Sequence, residues 1–232
     1  MSDLEARVKE DNPDPRVACA LLLDTSSSMH GEPIQELNEG FRVFCDEIKD
    51  DPLARKRTEV TVITFGGVAR VEIPFTEGRD LEPRTFHANG ATPMGAALDL
   101  GLNEISAQKQ AYKTAGLEYY RPWLFVISDG GPTDGPAFDA AAARVREAEA
   151  AKGVSVFGVG VGSGDLAKLS ELSTTRQPLL LKGYSFIEMF SWLSASMRVV
   201  SNAGTFGSTD AGVAQAEATE QNPLPPPGWA TW

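Results

Sequence analysis

A nearly continuous apolar run, RVACALLLD at residues 16–24, constrains the fold more than any other segment of the chain. A strand with one face in water alternates apolar and polar side chains, and this run does not alternate. Such a run is typical of a strand covered on both faces, as in parallel sheets. We therefore expect residues 16–24 to form the central strand of a sheet that has helices on both sides.

The rest of the chain alternates between helical and strand patterns. Apolar residues recur at steps of three and four from Ile34 to Ile48 and from Met94 to Ile105, which predicts two helices, the second spanning about Pro93 to Gln110. Pro33 fits the first turn of the earlier helix. Five more strands are predicted at EVTVITF, VARVEIPF, WLFVIS, GVSVFGVGVG and PLLLK, and three more helices at AFDAAAARVREAEAAK, DLAKLSEL and SFIEMFSWLSASMRVV.

These patterns together predict an α/β fold. Gly66 and Gly67 separate the second and third predicted strands and are typical of a tight hairpin. Strands that alternate with helices favour a parallel sheet with right-handed crossovers. We expect a doubly wound, mostly parallel six-stranded sheet with one antiparallel edge strand and helices on both faces.

Length and composition indicate one main domain. The chain has 232 residues, of which 42% are hydrophobic and 23% charged, an ordinary balance for a globular protein. We interpret residues 1–15 as an N-terminal extension, 16–201 as the domain and 202–232 as a Gly-, Ala- and Pro-rich tail that ends in NPLPPPGWATW. The net charge of −11 argues against binding to a phosphate backbone, so nucleic acid is not an expected partner.

The chain shows no sign of a membrane or secreted protein. No apolar run reaches the length of a membrane span, and the start, MSDLEARVKEDNPDP, lacks the order of a secretory signal, so we expect a cytoplasmic location with no membrane partner. Cys19 and Cys45 fall in a predicted strand and a predicted helix. Buried free thiols explain them better than a disulfide or a zinc site.

Oxygen-bearing side chains follow three of the predicted strands. Asp24, Ser26 and Ser28 end the first strand, Thr92 lies in HANGATPMG, and Asp129 follows WLFVIS. The loops after parallel strands lie along one edge of the sheet, where open α/β sheets bind ligands. Two carboxylates with three hydroxyls suit a hard cation such as Mg²⁺, with Mn²⁺ or Ca²⁺ as alternatives.

The charge of this set points to an external ligand. Two carboxylates only neutralise a divalent ion, so the ion stays open to an Asp or Glu of a protein partner. Each residue alone has a simpler explanation, because Ser26 or Ser28 could cap the helix near Pro33, Thr92 could cap the next helix and Asp129 could stabilise a glycine turn. All five residues on one edge favour the metal site.

The same residues resemble a known family. The stretch DTSSS fits the D-x-S-x-S pattern of the metal-ion-dependent adhesion site of von Willebrand factor A domains, and Thr92 and Asp129 match the two later positions. The resemblance implies that Asp24, Ser26, Ser28, Thr92 and Asp129 are metal ligands. It also implies a non-enzymatic domain that recognises proteins through a carboxylate of the partner.

A narrower resemblance covers most of the chain. The segments VITFG, TPMGAALDL, YYRPWLFVISDGGPTD, WLSASM and PPPGWA are similar to the bacterial stand-alone A domains of the tellurium-resistance Y type (TerY-like). This resemblance implies an intracellular adaptor in a tellurium-resistance or stress system, associated with a 2C-type protein phosphatase and a Ser/Thr kinase.

Other candidates have simpler interpretations. Asp134 is expected to be a turn residue or helix cap rather than a ligand. His30 and His87 are expected to be solvated loop histidines. Trp229 and Trp232 are expected to fold back onto the domain, or otherwise to anchor a partner.

Two other functions remain to be compared. A phosphoryl-transfer enzyme with Asp24 as nucleophile is disfavoured, because Ser26 stands where a D-x-D motif needs its second acid and no lysine or arginine lies in the first or third loop. The alternative to a metal-dependent adaptor is an assembly module that acts mainly through its C-terminal tail, with a purely structural metal.

Overall fold

The strand β1 lies in the interior of the sheet, between β2 and β4, as the apolar run predicts. A computed structural model describes Val8, residues 12–162, Gly164, residues 166–202 and residues 230–231. The strands are β1 (Val17–Asp24), β2 (Thr58–Gly66), β3 (Val68–Glu77), β4 (Trp123–Ser128), β5 (Ser155–Gly160), β6 (Leu179–Leu181) and β7 (Ala230–Thr231). The helices are α1 (Glu32–Asp50), α2 (Ala54–Arg57), α3 (Met94–Ala115), α4 (Gly135–Ala150), α5 (Leu166–Ser170) and α6 (Phe186–Asn202).

Both faces of β1 are buried, which explains its uninterrupted apolar sequence. Cys19 and Leu21 point into a core cluster shared with α1 and α6. Ala20 and Leu22 point into a second cluster shared with α3 and α4. Because successive side chains of a strand lie on opposite faces, a strand between two helical layers needs an apolar residue at every position.

The predicted sheet is confirmed, with one addition. The strand order is β3-β2-β1-β4-β5-β6-β7. Strands β2 and β4 flank β1 in parallel, and β3 is the predicted antiparallel edge strand. The addition is β7, which pairs antiparallel to β6, so residues 230–231 of the predicted tail belong to the sheet.

Helices α1 and α3, which cover opposite faces of β1, also follow the predicted patterns. The buried face of α1 contains Ile34, Leu37, Phe41, Phe44, Cys45 and Ile48, as the spacing predicts, and Pro33 lies in its first turn. Helix α3 is longer than predicted, because it continues past Gln110 until Gly116 adopts a left-handed conformation with φ of 66°. Glycine adopts this conformation without steric strain, so it ends the helix.

Part of the predicted N-terminal extension packs on the domain. The Asn12 side-chain amide donates hydrogen bonds to the Lys56 carbonyl at 2.7 Å and to Glu77 at 2.9 Å. Arg16 is fully buried and forms an ion pair with Glu59 at 2.8 Å. Asn12 of the predicted extension is therefore hydrogen-bonded to the domain.

The two cysteines are free and buried, as expected. Burial raises the pKa of both thiols, that of Cys45 to about 12, so neither is a reactive thiolate at neutral pH. None of the helices in the described part of the chain has the length and apolarity needed to cross a membrane.

A close helix contact near the end of β1 gives a stability prediction. A Cβ atom on Gly95 would clash with backbone atoms of Ala137 and Phe138, so Gly95→Ala must separate α3 from α4. We expect a loss of about 2 kcal/mol in the free energy of unfolding, measured by urea denaturation.

The matched control is Gly135→Ala, since Gly135 also lies in the first turn of a helix and a Cβ atom on it would meet no other atom within 4 Å. This substitution should leave stability unchanged or raise it slightly. Equal losses for both variants would contradict the close contact.

Candidate metal centre

The first loop of the site begins at the carboxyl end of β1. Asp24 is 1% exposed and Ser26 is 2% exposed. The Ser26 backbone N–H donates a hydrogen bond to Asp24 Oδ1 at 2.8 Å. A short 3-10 helix, Ser27–Met29, follows and places Ser28 at the surface. The local turn therefore holds Ser26 against the Asp24 carboxylate and brings Ser28 to the surface beside Ser26.

Hydrogen bonds join the first loop to the third. Ser26 Oγ lies 2.9 Å from Ser28 Oγ, and Ser28 Oγ donates to Asp129 Oδ1 at 2.7 Å. Asp129 follows β4, which lies next to β1 in the sheet. We call Asp24, Ser26, Ser28 and Asp129 the oxygen cluster. Residues about 100 positions apart in sequence thus meet at one edge of the sheet, as predicted.

Thr92 comes from the second loop and is fixed by its backbone. Its carbonyl accepts from the Thr133 backbone N–H at 2.9 Å, and its own N–H donates to the Thr133 hydroxyl at 3.0 Å. Backbone hydrogen bonds also join the second loop to the first. The Asn89 N–H donates to the Thr25 carbonyl at 2.8 Å, and the Ser27 N–H donates to the Gly90 carbonyl at 2.9 Å. Thr92 is therefore held between the two loops that supply the oxygen cluster.

Asp24 has an unfavourable electrostatic environment. Burial raises the pKa of the Asp24 carboxyl, and the nearby charge of Asp129 raises this pKa slightly further. Hydrogen bonds from Ser128 and Ser26 lower the same pKa and so offset part of the rise. In the part of the chain that the structure describes, no lysine or arginine forms an ion pair with Asp24. A buried carboxylate without a positive partner is costly, so the site fits a cation.

The donor set also fits a hard divalent ion. It consists of carboxylate and hydroxyl oxygens, which Mg²⁺, Mn²⁺ and Ca²⁺ accept as ligands. Among the described residues, no group of three or more His, Cys, Asp or Glu side chains is placed to hold a metal. A metal bound by this edge would therefore depend on hydroxyl ligands as well as the two carboxylates.

Two supporting residues were not recognised in the sequence as parts of this site. The Ser128 hydroxyl donates to Asp24 Oδ2 and bridges to Gly130. Its only signal in the sequence is its position directly before Asp129. Asp134 is a helix cap, as expected, but it caps a different helix from the one it precedes. It stands directly before α4, whereas its carboxylate accepts hydrogen bonds from the backbone N–H groups of Gly95 and Ala96 in α3.

The histidines lie beside the oxygen cluster. His30 and His87 are both exposed loop residues, as predicted. Both also line one cavity next to α1, an arrangement that the sequence did not indicate.

Comparison with known proteins identifies the family. The model of the von Willebrand factor type A domain matches residues 19–189, most of the chain. The chain belongs to the von Willebrand factor type A domain family. Domains of this family are generally non-enzymatic adhesion or interaction modules. A search of curated proteins finds no match to this chain.

Solved structures of the family share the fold at low sequence identity. Proximal thread matrix protein 1 from the mussel byssus has a TM-score of 0.54 at 21% identity, over 82% of this chain and 48% of that chain. A von Willebrand factor type A protein from Catenulispora acidiphila has a TM-score of 0.54 at 16% identity, over 79% of this chain and 43% of that chain. Manganese-loaded TRAP protein from Plasmodium vivax has a TM-score of 0.54 at 17% identity, over 75% of this chain and 73% of that chain. The chain thus spans less than half the length of the first two proteins.

The burial of Asp24 predicts an unusual effect of Asp24→Asn. A carboxyl whose pKa is raised by folding stabilises the folded state only while it is protonated, so this contribution is lost as pH rises through the raised pKa. In chelator at pH 7, Asp24→Asn should therefore keep or raise the free energy of unfolding and weaken its decline as pH rises above the ordinary pKa of an Asp carboxyl. Urea denaturation at a series of pH values measures both.

The control for this experiment is Asp139→Asn, because Asp139 is exposed on α4. Its pH profile should match that of the natural sequence. A large loss of stability for Asp24→Asn in chelator would show that the ionised carboxylate is stabilising in the metal-free protein.

The Asp134 cap gives a second prediction for the site. Asp134→Ala leaves two N–H groups of α3 without their acceptor and loosens the attachment of the Thr92 loop. We expect about a tenfold loss in Mg²⁺ affinity, measured by calorimetry, as for other residues that position metal ligands. Asp139→Ala is the matched control, and equal affinities of the two variants would contradict this role.

Proposed function

We propose that the chain is a metal-dependent protein-recognition module whose ligands are Asp24, Ser26, Ser28, Thr92 and Asp129. The observation that carries this proposal is the burial of Asp24 among hydroxyl groups, without a lysine or arginine partner in the described structure. A bound Mg²⁺ would supply a positive centre that can accept one more oxygen ligand. Mn²⁺ or Ca²⁺ also suits these donors.

The partner is proposed to present an Asp or Glu to this centre. Asp24 and Asp129 balance a divalent charge, and the three hydroxyls add none, so attraction for an external carboxylate remains. Ser28 is exposed and Asp129 is half-buried, which leaves the surface side of the oxygen cluster open to a partner. The manganese-loaded TRAP structure, which shares the fold, supports a divalent ion in a domain of this kind.

The cellular setting is proposed from the sequence alone. The segments that resemble tellurium-resistance Y-type A domains are the basis for proposing a cytoplasmic, non-enzymatic adaptor in a bacterial tellurium-resistance or stress system. A 2C-type protein phosphatase and a Ser/Thr kinase are the proposed partners. The segment PPPGWA lies mostly outside the described residues, since only Ala230 of it is described.

A second function is favoured by β7. The backbone of Ala230–Thr231 pairs with β6, so the end of the chain is engaged with the domain. In this alternative the tail organises an assembly and the metal is purely structural. Removal of residues 203–232 would then abolish partner binding while Mg²⁺ binding is retained.

Affinity purification from the native cell tests the recognition function. The tagged full chain should retain a partner in Mg²⁺, and should lose it in chelator or with Asp24→Ala, because both changes remove the positive centre. Mass spectrometry of the retained proteins measures the difference, and Asp139→Ala serves as the control. Equal retention under all conditions would contradict metal-dependent recognition.

A further inference from the structure

A cavity lies beside the oxygen cluster and belongs to none of the functions above. Its volume is about 340 Å³, within the usual range of ligand pockets. One wall is the start of α1 with the residues that precede it, including His30, Ile34 and Gln35. The other wall is residues 85–88, which lead into the Thr92 loop.

The cavity has an apolar base and well-fixed walls. Ile34 is 9% exposed and Phe86 is 4% exposed. The Asn38 side-chain amide donates to the Phe86 carbonyl at 3.0 Å and accepts from the Phe86 N–H at 2.7 Å. These two hydrogen bonds tie the second wall to α1, so the cavity is preformed and needs little ordering to accept a ligand.

The cavity lies close to the loops that carry the oxygen cluster. His30 is two residues after Ser28, which limits the distance between their Cα atoms to about 7 Å. The first loop and the segment after Ala88 are joined by the Asn89–Thr25 and Ser27–Gly90 hydrogen bonds. A protein segment bound at the oxygen cluster therefore has the cavity directly beside it.

The lining matches an acidic partner segment. The chain contains 32 Asp and Glu against 21 Lys and Arg, yet none of the described residues that line the cavity is acidic. Both histidines of the chain are in the lining, and each imidazole offers an N–H donor. The lining itself therefore places no carboxylate against an acidic partner segment, and it includes the buried apolar side chains of Ile34 and Phe86.

We propose that this cavity binds an apolar side chain, aromatic or branched, of the same partner segment whose Asp or Glu approaches the oxygen cluster. The inference rests on the proposed recognition function and specifies its partner. An extended segment rises about 3.3 Å per residue and places alternate side chains on one face. The apolar side chain therefore lies two or four residues from the partner's Asp or Glu. A side chain one or three residues from that acid lies on the opposite face of the segment and cannot enter the cavity.

Synthetic peptides test this spacing directly. Each is a Gly-Ser decapeptide with one Asp, either alone or with a Phe placed one to four residues before or after it. Binding to the full ¹⁵N-labelled chain is measured by NMR titration in Mg²⁺ and in chelator. Peptides with Phe at two or four residues on one side should bind about tenfold more tightly than the Asp-only peptide, because a buried Phe is strongly stabilising.

Two matched variants assign the gain to the cavity. Gln35→Trp fills the cavity from an exposed position of α1 and should abolish the gain from Phe, while the weak Mg²⁺-dependent binding of the Asp-only peptide persists. Gln110→Trp makes the same exchange at an exposed position of α3 and should leave the gain unchanged. Retained Asp-only binding shows that the Gln35→Trp protein is folded.

The outcomes separate this inference from the function on which it rests. Mg²⁺-dependent binding of all peptides with equal affinity, or a Phe gain that survives Gln35→Trp, would overturn the cavity proposal alone. Peptide affinities that are the same in Mg²⁺ and in chelator would overturn the recognition function itself. Movement of the Trp229 or Trp232 indole signals in Gln35→Trp without peptide would assign the cavity to this chain's own C-terminal residues and overturn the partner proposal.

Discussion

The burial of one carboxylate, Asp24, at the end of β1 is the constraint on which the site depends. Burial favours its neutral form, as the raised pKa shows. Hydrogen bonds from Ser26 and Ser128 compensate only in part, since hydroxyl and amide dipoles are weaker partners than a full positive charge. A bound cation would therefore stabilise the charged form of this carboxylate.

The sheet edge holds the three loops together through backbone contacts. A Cβ atom on Gly66 would clash with the Thr25 carbonyl, and one on Gly90 would clash with Gly67. The β2–β3 hairpin therefore packs directly against the first and second loops, and Asp134 ties the third loop to α3. Ligand residues from distant parts of the chain need such support, because small displacements of the loops change metal coordination.

The sequence predicted the sheet, its helical layers and five oxygen-bearing residues at one edge, because apolar periodicity and strand-end positions are local signals. In the structure, hydrogen bonds link four of them, and Thr92 is held nearby by its backbone. The sequence did not predict β7, because two residues after a proline-rich stretch carry no strand pattern. It also missed that Asp134 caps α3 and that His30 and His87 share a cavity. Both facts depend on tertiary contacts between residues about 40 to 60 positions apart.

The most direct measurement of the central claim is a crystal structure of the chain soaked in Mn²⁺, with anomalous scattering collected at the manganese edge. The account predicts a single strong peak bounded by the carboxylates of Asp24 and Asp129 and by the hydroxyls of Ser26, Ser28 and Thr92. The peak should be absent from crystals of Asp24→Ala. Manganese at another location, or no peak at the oxygen cluster in saturating Mn²⁺, would contradict the account.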